Sequence, residues 1–398
     1  MDSKERRYDH VDGLRGLAAL FVVLHHAWLT IWPFEYGRAP TGAARVTDVL
    51  AYGHFAVGVF IVVSGFCLMR PVVVTGSLPG GALAFFGRRA RRILPPYYAA
   101  FALSLLLIAV AIGHDTGTHW DISVPVTPVG LIGNGLLLQD VVGGPQVNHV
   151  FWSIALECQI YLLFPLLVLV WRRRGMGPAV AVAAVVSAVL AFLVERYPLV
   201  GPFRLLGLTP QFVFLFALGA AAAQVAFGRR ERVREQLPWT AIFAVAAAAL
   251  VLACLLLGRD RTLADFAYLD PVAGLAAAAL LVATTRARPS RLRRLLATPR
   301  LALLGTFAYS LYLIHAPVLQ LVWQALIGPV AVPAWAAFSA LLVVGVPSAI
   351  AAAYGFFFVC ERPFLRPRRR YPSIVSGVSS AIEPSTTSAS ASASSSGG

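Results

Sequence analysis

Charge is scarce in this chain. Lys, Arg, Asp and Glu make up 13% of its 398 residues, against about 25% in ordinary soluble domains. Charge-free apolar blocks near 20 residues long, the span of a bilayer core, recur along nearly the whole length. That excludes a single large soluble core. Cysteine is scarce too. Cys67, Cys158, Cys254 and Cys360 form no C-x-x-C pair and no Cys/His ligand spacing, so they support neither a disulfide framework nor zinc, and no metal site is expected. There is no G-x-S-x-G elbow, no Walker loop, and no G-x-G-x-x-G run with a following acidic residue. The glycine pairs at 80–81 and 143–144 read as loop glycines. No internal repeat is visible, and no soluble catalytic domain is expected at either end. Whatever chemistry exists falls to the membrane domain.

What is present is an all-α, polytopic membrane pattern. Ten spans are expected, at 14–32, 50–70, 93–113, 150–171, 178–195, 205–227, 238–257, 266–285, 302–325 and 334–358. With both termini in the cytoplasm, the cytoplasmic segments and span ends hold 27 of the 33 Lys+Arg and the external segments hold six; 114–149 has none. That asymmetry is the positive-inside rule. It accounts for most of the net charge of +15 and argues against a nucleic-acid partner. The lipid bilayer is the expected environment, and a multi-pass position in the cell's inner (plasma) membrane the expected location. A cleaved signal peptide fits KERR and the first apolar run poorly, since two histidines interrupt the run and no small-x-small site follows. The segment 131–142 is too short for a span. With Asn134, Gln139 and Asp140 it reads as interfacial or re-entrant, and counting it as a span would put Arg172–Arg174 outside. Residues 1–370 form the expected membrane domain. The Ser/Ala-rich stretch 371–398 reads as a disordered cytoplasmic tail.

Ionisable groups inside apolar spans are costly, and mark candidate functional sites. Arg15 and His26 are eleven residues apart on the first span, within ~20° of three full helical turns and about 16.5 Å apart in rise. One helix face therefore carries a guanidinium at the membrane edge and an imidazole near mid-membrane. His25 points ~100° away from His26. A neutral imidazole is a general base near neutral pH; the plainer alternative is a packing histidine, and for Arg15 it is snorkelling to headgroups. Arg89 and Arg92, in FFGRRARRILPPYY, share a helix face at i, i+3 and suit phosphate, or serve as positive-inside anchors. Pro95 and Pro96 suit a first helical turn or a kink. Glu157 lies in span four with Gln159 and Tyr161. It pairs with a cation, orients a base, receives a hydroxyl, or glues helices together. His315 is a second mid-membrane imidazole. Ser64 either lines a cavity or, with Gly65, packs helices closely. Trp120 and Asp121 suit a sugar or a membrane interface. Glu361-Arg362-Pro363 reads as an end cap with a local ion pair.

Taken together, these motifs resemble the acyltransferase-3 family of membrane-bound O-acyltransferases. DGLRGLAALFVVLHH is similar to its opening Arg-ten residues-His signature, through Arg15 and His26. FAVGVFIVVSGFCL, RRARRILPPYY, FWSIALECQIYLLFP and AYSLYLIHAPV resemble four further family segments, in the family's order, so the resemblance runs from residue 12 to about 363. Cys158 stands where a second glutamate often follows Glu157, and Val63 where isoleucine is usual. The chain resembles the stand-alone, bacterial, actinobacterial-like kind. The resemblance implies transfer of an acyl group, often acetyl, from cytoplasmic acyl-CoA to a hydroxyl of a sugar, a cell-surface glycan or a glycosylated small molecule, with no permanently bound cofactor. In that reading Arg15, Arg89 and Arg92 bind the donor. His26 is the base or a transient acyl carrier, Glu157 and His315 complete the catalytic group, and Ser64 and Tyr161 line the cavity. The acceptor arrives from the outer face through 33–49 and 114–149. The rival reading is a proton-coupled exporter with His26, Glu157 and His315 as a relay; the missing repeat counts against it.

Overall fold

The computed structural model describes residues 8–142, 146–196, 209–229, 231–286 and 290–365. The tail expected over 371–398 and the glycine pair 143–144 lie outside these residues. No strand occurs among the described residues. The helices are α1 (Asp9–Ile31), α2 (Gly53–Thr75), α3 (Gly81–Leu107), α4 (Pro128–Gly135), α5 (Gln139–Val142), α6 (Trp152–Arg174), α7 (Met176–Arg196), α8 (Gln211–Phe227), α9 (Glu231–Gln236), α10 (Trp239–Ala264), α11 (Phe266–Thr285), α12 (Arg291–Leu296), α13 (Pro299–Thr306), α14 (Ala308–Val322), α15 (Ala334–Ala340) and α16 (Val346–Phe356). Nine helical segments among the described residues are long and apolar enough to cross a membrane, and the 17-residue α8 adds a shorter apolar one. Each of the ten expected spans therefore has a helical counterpart, and the chain is an all-α polytopic membrane protein.

Burial locates the centre. The apolar windows of the α1, α2, α11 and α14 segments are each 61% buried, whereas that of α10 is 6% buried and faces outward. Helices come close where side chains vanish. A Cβ on Gly65 of α2 would lie 2.1 Å from the Phe216 carbonyl oxygen, and one on Gly219 of α8 would lie 1.9 Å from that of Val62. The two helices thus cross backbone to backbone, the usual solution in lipid, where packing replaces the hydrophobic drive.

Three local features differ from the sequence reading. Pro95 and Pro96 lie inside α3, which starts at Gly81 and runs through both; they begin no helix. The ninth span is broken. α13 ends at Thr306, Phe307 leaves helical geometry at φ −117°, ψ 19°, and α14 begins at Ala308. Beside the break α13 runs against the α1 backbone: a Cβ on Gly305 would stand 1.8 Å from the Asp12 carbonyl oxygen. Glu361 is not an end cap of its own helix. It is 2% exposed, and its Oε2 accepts from the Ser310 amide at 3.2 Å and the Ser310 hydroxyl at 2.5 Å. It thereby satisfies the amide end that the break exposes.

The segment 131–142 forms α4 and α5, of eight and four residues, too short to span. Tyr97 and Tyr98 of α3 donate to the carbonyls of Asn134 (2.7 Å) and Gly135 (2.9 Å). Gln159 Nε2 donates to both carboxylate oxygens of Asp140 at 2.9 Å. Gln159 is ten residues, about 15 Å of helix rise, from the His149 end of its span. These contacts tie the segment to α3 and α6, with part of its irregular backbone satisfied by protein side chains.

Candidate functional site

α1 carries one face through two cavities. The first holds about 610 Å³, open mouth included, and lies toward the arginine-rich end of the bundle. It is lined by Arg15, Arg92, Glu157, Tyr309, Tyr312 and Glu361, with the α13–α14 break at Gly305 and Thr306 as one wall. The amide end of α14 at the break is bonded to the Glu361 carboxylate, which lines the same cavity as the two guanidiniums. Arg15 is 3.9 Å from Asp12, one turn below it. Arg89, a turn back along α3 from Arg92, is not part of the lining; its Nε is buried with no hydrogen-bond partner.

Glu157 is held from behind. Ser64 Oγ donates to Glu157 Oε1 at 2.9 Å, Tyr161 OH donates to the same oxygen, and the two hydroxyls are 2.7 Å apart. Ser64 and Tyr161 thus bond the cavity's carboxylate instead of forming its wall. Ser153 and Tyr312 close the cavity's inner end, with Ser153 Oγ donating to Tyr312 OH at 2.7 Å.

One turn beyond Tyr312 on α14 is His315, fully buried. Its Nδ1 is 3.0 Å from the Leu311 oxygen and 2.9 Å from the Tyr312 oxygen. Carbonyls only accept, so Nδ1 carries the proton and Nε2 holds a lone pair. That Nε2 lies 3.1 Å from His26 Nδ1, which is also 2.9 Å from the Val22 oxygen. Caught between two acceptors, His26 Nδ1 must be the protonated nitrogen. His26 Nε2 is therefore the free one.

The second cavity, narrow and about 210 Å³ with its open mouth included, lies on the other side of this pair and is lined by His26, Thr30, His119, Trp120, His149 and Gln320, among others. His119 is on the 3-10 turn His119–Ser123 and His149 on the turn His149–Phe151. The His26 ring centroid is 5.1 Å from that of His149 and 6.1 Å from that of His119. Its rim joins two outer segments. Glu35 Oε1 is 2.9 Å from His119 Nδ1, and Tyr36 OH donates to Asp121 Oδ2 at 2.7 Å. Asp121 also accepts from the amides of Thr116 (3.0 Å) and Gly117 (2.7 Å). Trp120 is 2% exposed and donates to the Ile112 oxygen at 3.0 Å. Asp121 therefore organises a loop, and Trp120 is packed with part of its ring on the second cavity. His25 points elsewhere, with Nδ1 2.6 Å from the Leu50 oxygen.

The structure thus divides the expected residues into two groups. Arg15, Arg92 and Glu157 share the first cavity, with Ser64 and Tyr161 behind. His26 and His315 form the divide. Glu157 and His315, which the sequence reading grouped together, belong to different clusters. His119 and His149 were missed individually, because loop histidines at this spacing carry no signature; only their stretch, 114–149, drew notice. Also missed was a buried pair away from both cavities. His54 Nε2 is 2.9 Å from Asp270 Oδ2, Gln211 Nε2 donates to that oxygen at 3.0 Å, and His54 stacks on Phe266 at 4.3 Å. A lone carboxylate in an apolar span was the available signal.

Comparison with known proteins adds to the geometry. No solved structure matches the chain. Nodulation protein 10 of Rhizobium leguminosarum bv. viciae is 27% identical over 236 residues, 54% of this chain and 59% of that protein. A protein of Acidianus two-tailed virus, named "Putative acetyltransferase ORF330", is 27% identical over 165 residues, 41% of this chain and 42% of that protein. The chain spans about half the length of these curated relatives. The family model acyltransferase-3, described as an acyltransferase domain, matches residues 8–354. That range runs from α1 into α16 and takes in the His26–His315 divide, the second cavity and the first cavity's lining except Glu361, and the chain belongs to the acyltransferase-3 family.

Proposed function

We propose that this protein is an O-acyltransferase that moves an acyl group, acetyl in the simplest case, from acyl-CoA to a hydroxyl of a sugar, cell-surface glycan or glycosylated small molecule. The donor occupies the first cavity from the cytoplasmic side, in the plasma membrane. Arg15 and Arg92 face its phosphates, with Arg89 adding charge behind Arg92. The acceptor approaches through the second cavity. His26 Nε2 takes the proton of the attacking hydroxyl as the oxygen bonds to the thioester carbon. The C–S bond then breaks, and the proton passes to the departing thiolate. The alternative covalent course has His26 Nε2 carry the acyl group transiently. Both courses need Nε2 free.

The observation that carries this reading is the tautomer of His26. Two acceptors hold its Nδ1, and the remaining nitrogen is left for the second cavity, which His26 lines, while Ser153 and Tyr312 close the inner end of the arginine-lined cavity. The test is purified full-length protein given labelled acetyl-CoA and a panel of saccharides and glycosylated small molecules. Release of free CoA that depends on an acceptor, with label recovered on it, is the expected result. No transfer to any member would count against the reading.

One observation favours the exporter. Broken helices are common in transporters, and α13–α14 is broken. Here, though, the exposed amide end is already bonded to Glu361. Proton-driven flux in vesicles without any CoA chemistry would establish the exporter instead.

A further inference from the structure

We propose that His26, His119 and His149 form a binding site for a divalent transition-metal ion, and that the ion silences the protein by occupying the free nitrogen of His26. The binding stands on geometry alone. The silencing rests on the acyltransferase reading above.

One ligand nitrogen from each of the three imidazoles lies within 4.8 Å of the others. In each ring Nδ1 has a polar neighbour, which leaves Nε2 for an ion. His119 Nδ1 is 2.9 Å from the Glu35 carboxylate. His149 Nδ1 is 3.3 Å from Ser123 Oγ, and that oxygen accepts from the His149 amide at 3.1 Å. His26 Nδ1 is held by the Val22 carbonyl and His315. Metal-binding histidines show this arrangement: the far nitrogen donates to a carboxylate, carbonyl or hydroxyl, which fixes the tautomer and aims the near one.

A second observation points to a ligand. His149 is 7% exposed, and its Nε2 is buried with no hydrogen-bond partner. An orphaned ring nitrogen of that kind is costly unless something completes it. With the His149 proton on Nδ1, toward Ser123 Oγ, three lone pairs converge on one point, the polarity of a cation site. All-imidazole ligation selects Zn²⁺, Cu²⁺ or Ni²⁺ and rejects Mg²⁺ and Ca²⁺, which require oxygen ligands. Tetrahedral Zn–N bonds set ligand nitrogens about 3.4 Å apart, so the rings must close by up to about 1.4 Å on the ion. His119 is on a short turn outside the spans, where its closure on the ion needs no movement of a membrane helix; His149 is on the turn that leads into α6.

The functional consequence follows from one lone pair having one use. His26 Nε2 holds a proton or a metal. An ion bound there prevents it from taking the acceptor's proton or an acyl group, and fills the second cavity at the point where the hydroxyl must arrive.

The test uses full-length protein in detergent or nanodiscs, with Co²⁺ and Zn²⁺ as probes. One Co²⁺ per chain, with the visible absorption of a tetrahedral nitrogen site and displacement by Zn²⁺ but not by Mg²⁺, is expected. H149A should weaken binding at least tenfold. Glu35→Gln, which removes no ligand and lies at the rim, should weaken it roughly 10–100-fold, and covers the case in which H149A fails to fold. In the transfer assay Zn²⁺ should inhibit, a chelator should restore activity, and the ratio of activity without and with Zn²⁺ should fall toward one in H149A and Glu35→Gln. Absence of the Co²⁺ spectrum, or binding indifferent to both substitutions, overturns the site. Binding that leaves transfer unchanged or raises it overturns the silencing. A chain that binds Co²⁺ as described yet never transfers an acyl group overturns the acyltransferase reading and the silencing, and upholds the site.

Discussion

His315 Nε2 and His26 Nδ1 lie 3.1 Å apart across 289 residues of sequence. The contact ties the first membrane helix to the ninth span and decides which nitrogen of His26 is free. His315 does for His26 what the aspartate does in a serine-protease triad, fixing tautomer and orientation, with a neutral imidazole in place of a carboxylate.

His315→Ala should therefore lower kcat by about 10²-fold or more, the scale of a lost general base, with little change in KM for acetyl-CoA. His315→Gln, which keeps an acceptor near His26 Nδ1, should recover part of the loss. Steady-state kinetics with separate kcat and KM checks this. A rise in KM alone would assign His315 to donor binding.

Arg15→Ala and Arg92→Ala should each raise KM for acetyl-CoA. Charge-assisted hydrogen bonds contribute about 1.5–3 kcal/mol, or roughly 10–150-fold at 1.4 kcal/mol per decade. Arg92→Lys should recover less than half of this in free energy, because an ammonium cannot make the bidentate contact. Arg89→Ala should be milder, since Arg89 is not part of the cavity wall. Titration of acetyl-CoA against each variant separates the three.

Asp270→Ala should destabilise the protein without a specific kinetic signature. It leaves His54 and Gln211 without their shared acceptor, and breaking a buried pair of this kind costs about 3–5 kcal/mol. The expected result is a lower Tm in detergent, with per-molecule kcat of the folded fraction nearly unchanged. A normal Tm with lost transfer would place the pair in the reaction path.

The sequence made the helices legible because lipid imposes a simple rule: about 20 apolar residues per span, with arginines at one end. It made Arg15 and His26 legible because one helix face repeats at eleven residues. It could not show the break at Phe307, beside which Gly305 meets the α1 backbone, a contact between helices far apart in the chain. Glu361 was misread for the same reason: its partner, Ser310, is 51 residues away. Ser64 and Tyr161 were recognised as polar residues near a cavity, but only the packed structure shows both hydroxyls pointing at Glu157. His119 and His149 are on irregular loop turns, where no period links sequence position to direction.

His25 is the internal control for His26. It is adjacent in sequence and similarly deep, yet its Nδ1 is tied to Leu50. His25→Ala should lower transfer far less than His26→Ala and act mainly through the outer loop it holds. Comparing the two at equal folded protein tests this. Equal losses would mean that the reacting face of α1 is the one carrying His25.

Chemical rescue of His26→Gly tests the central claim most directly. The variant should fold, bind acetyl-CoA with near-normal affinity, and lose acceptor-dependent transfer by about 10²–10⁴-fold. Added imidazole should restore a substantial part of that transfer in a saturable manner and should do nothing for Arg92→Ala. Full activity in His26→Gly without imidazole would contradict the account.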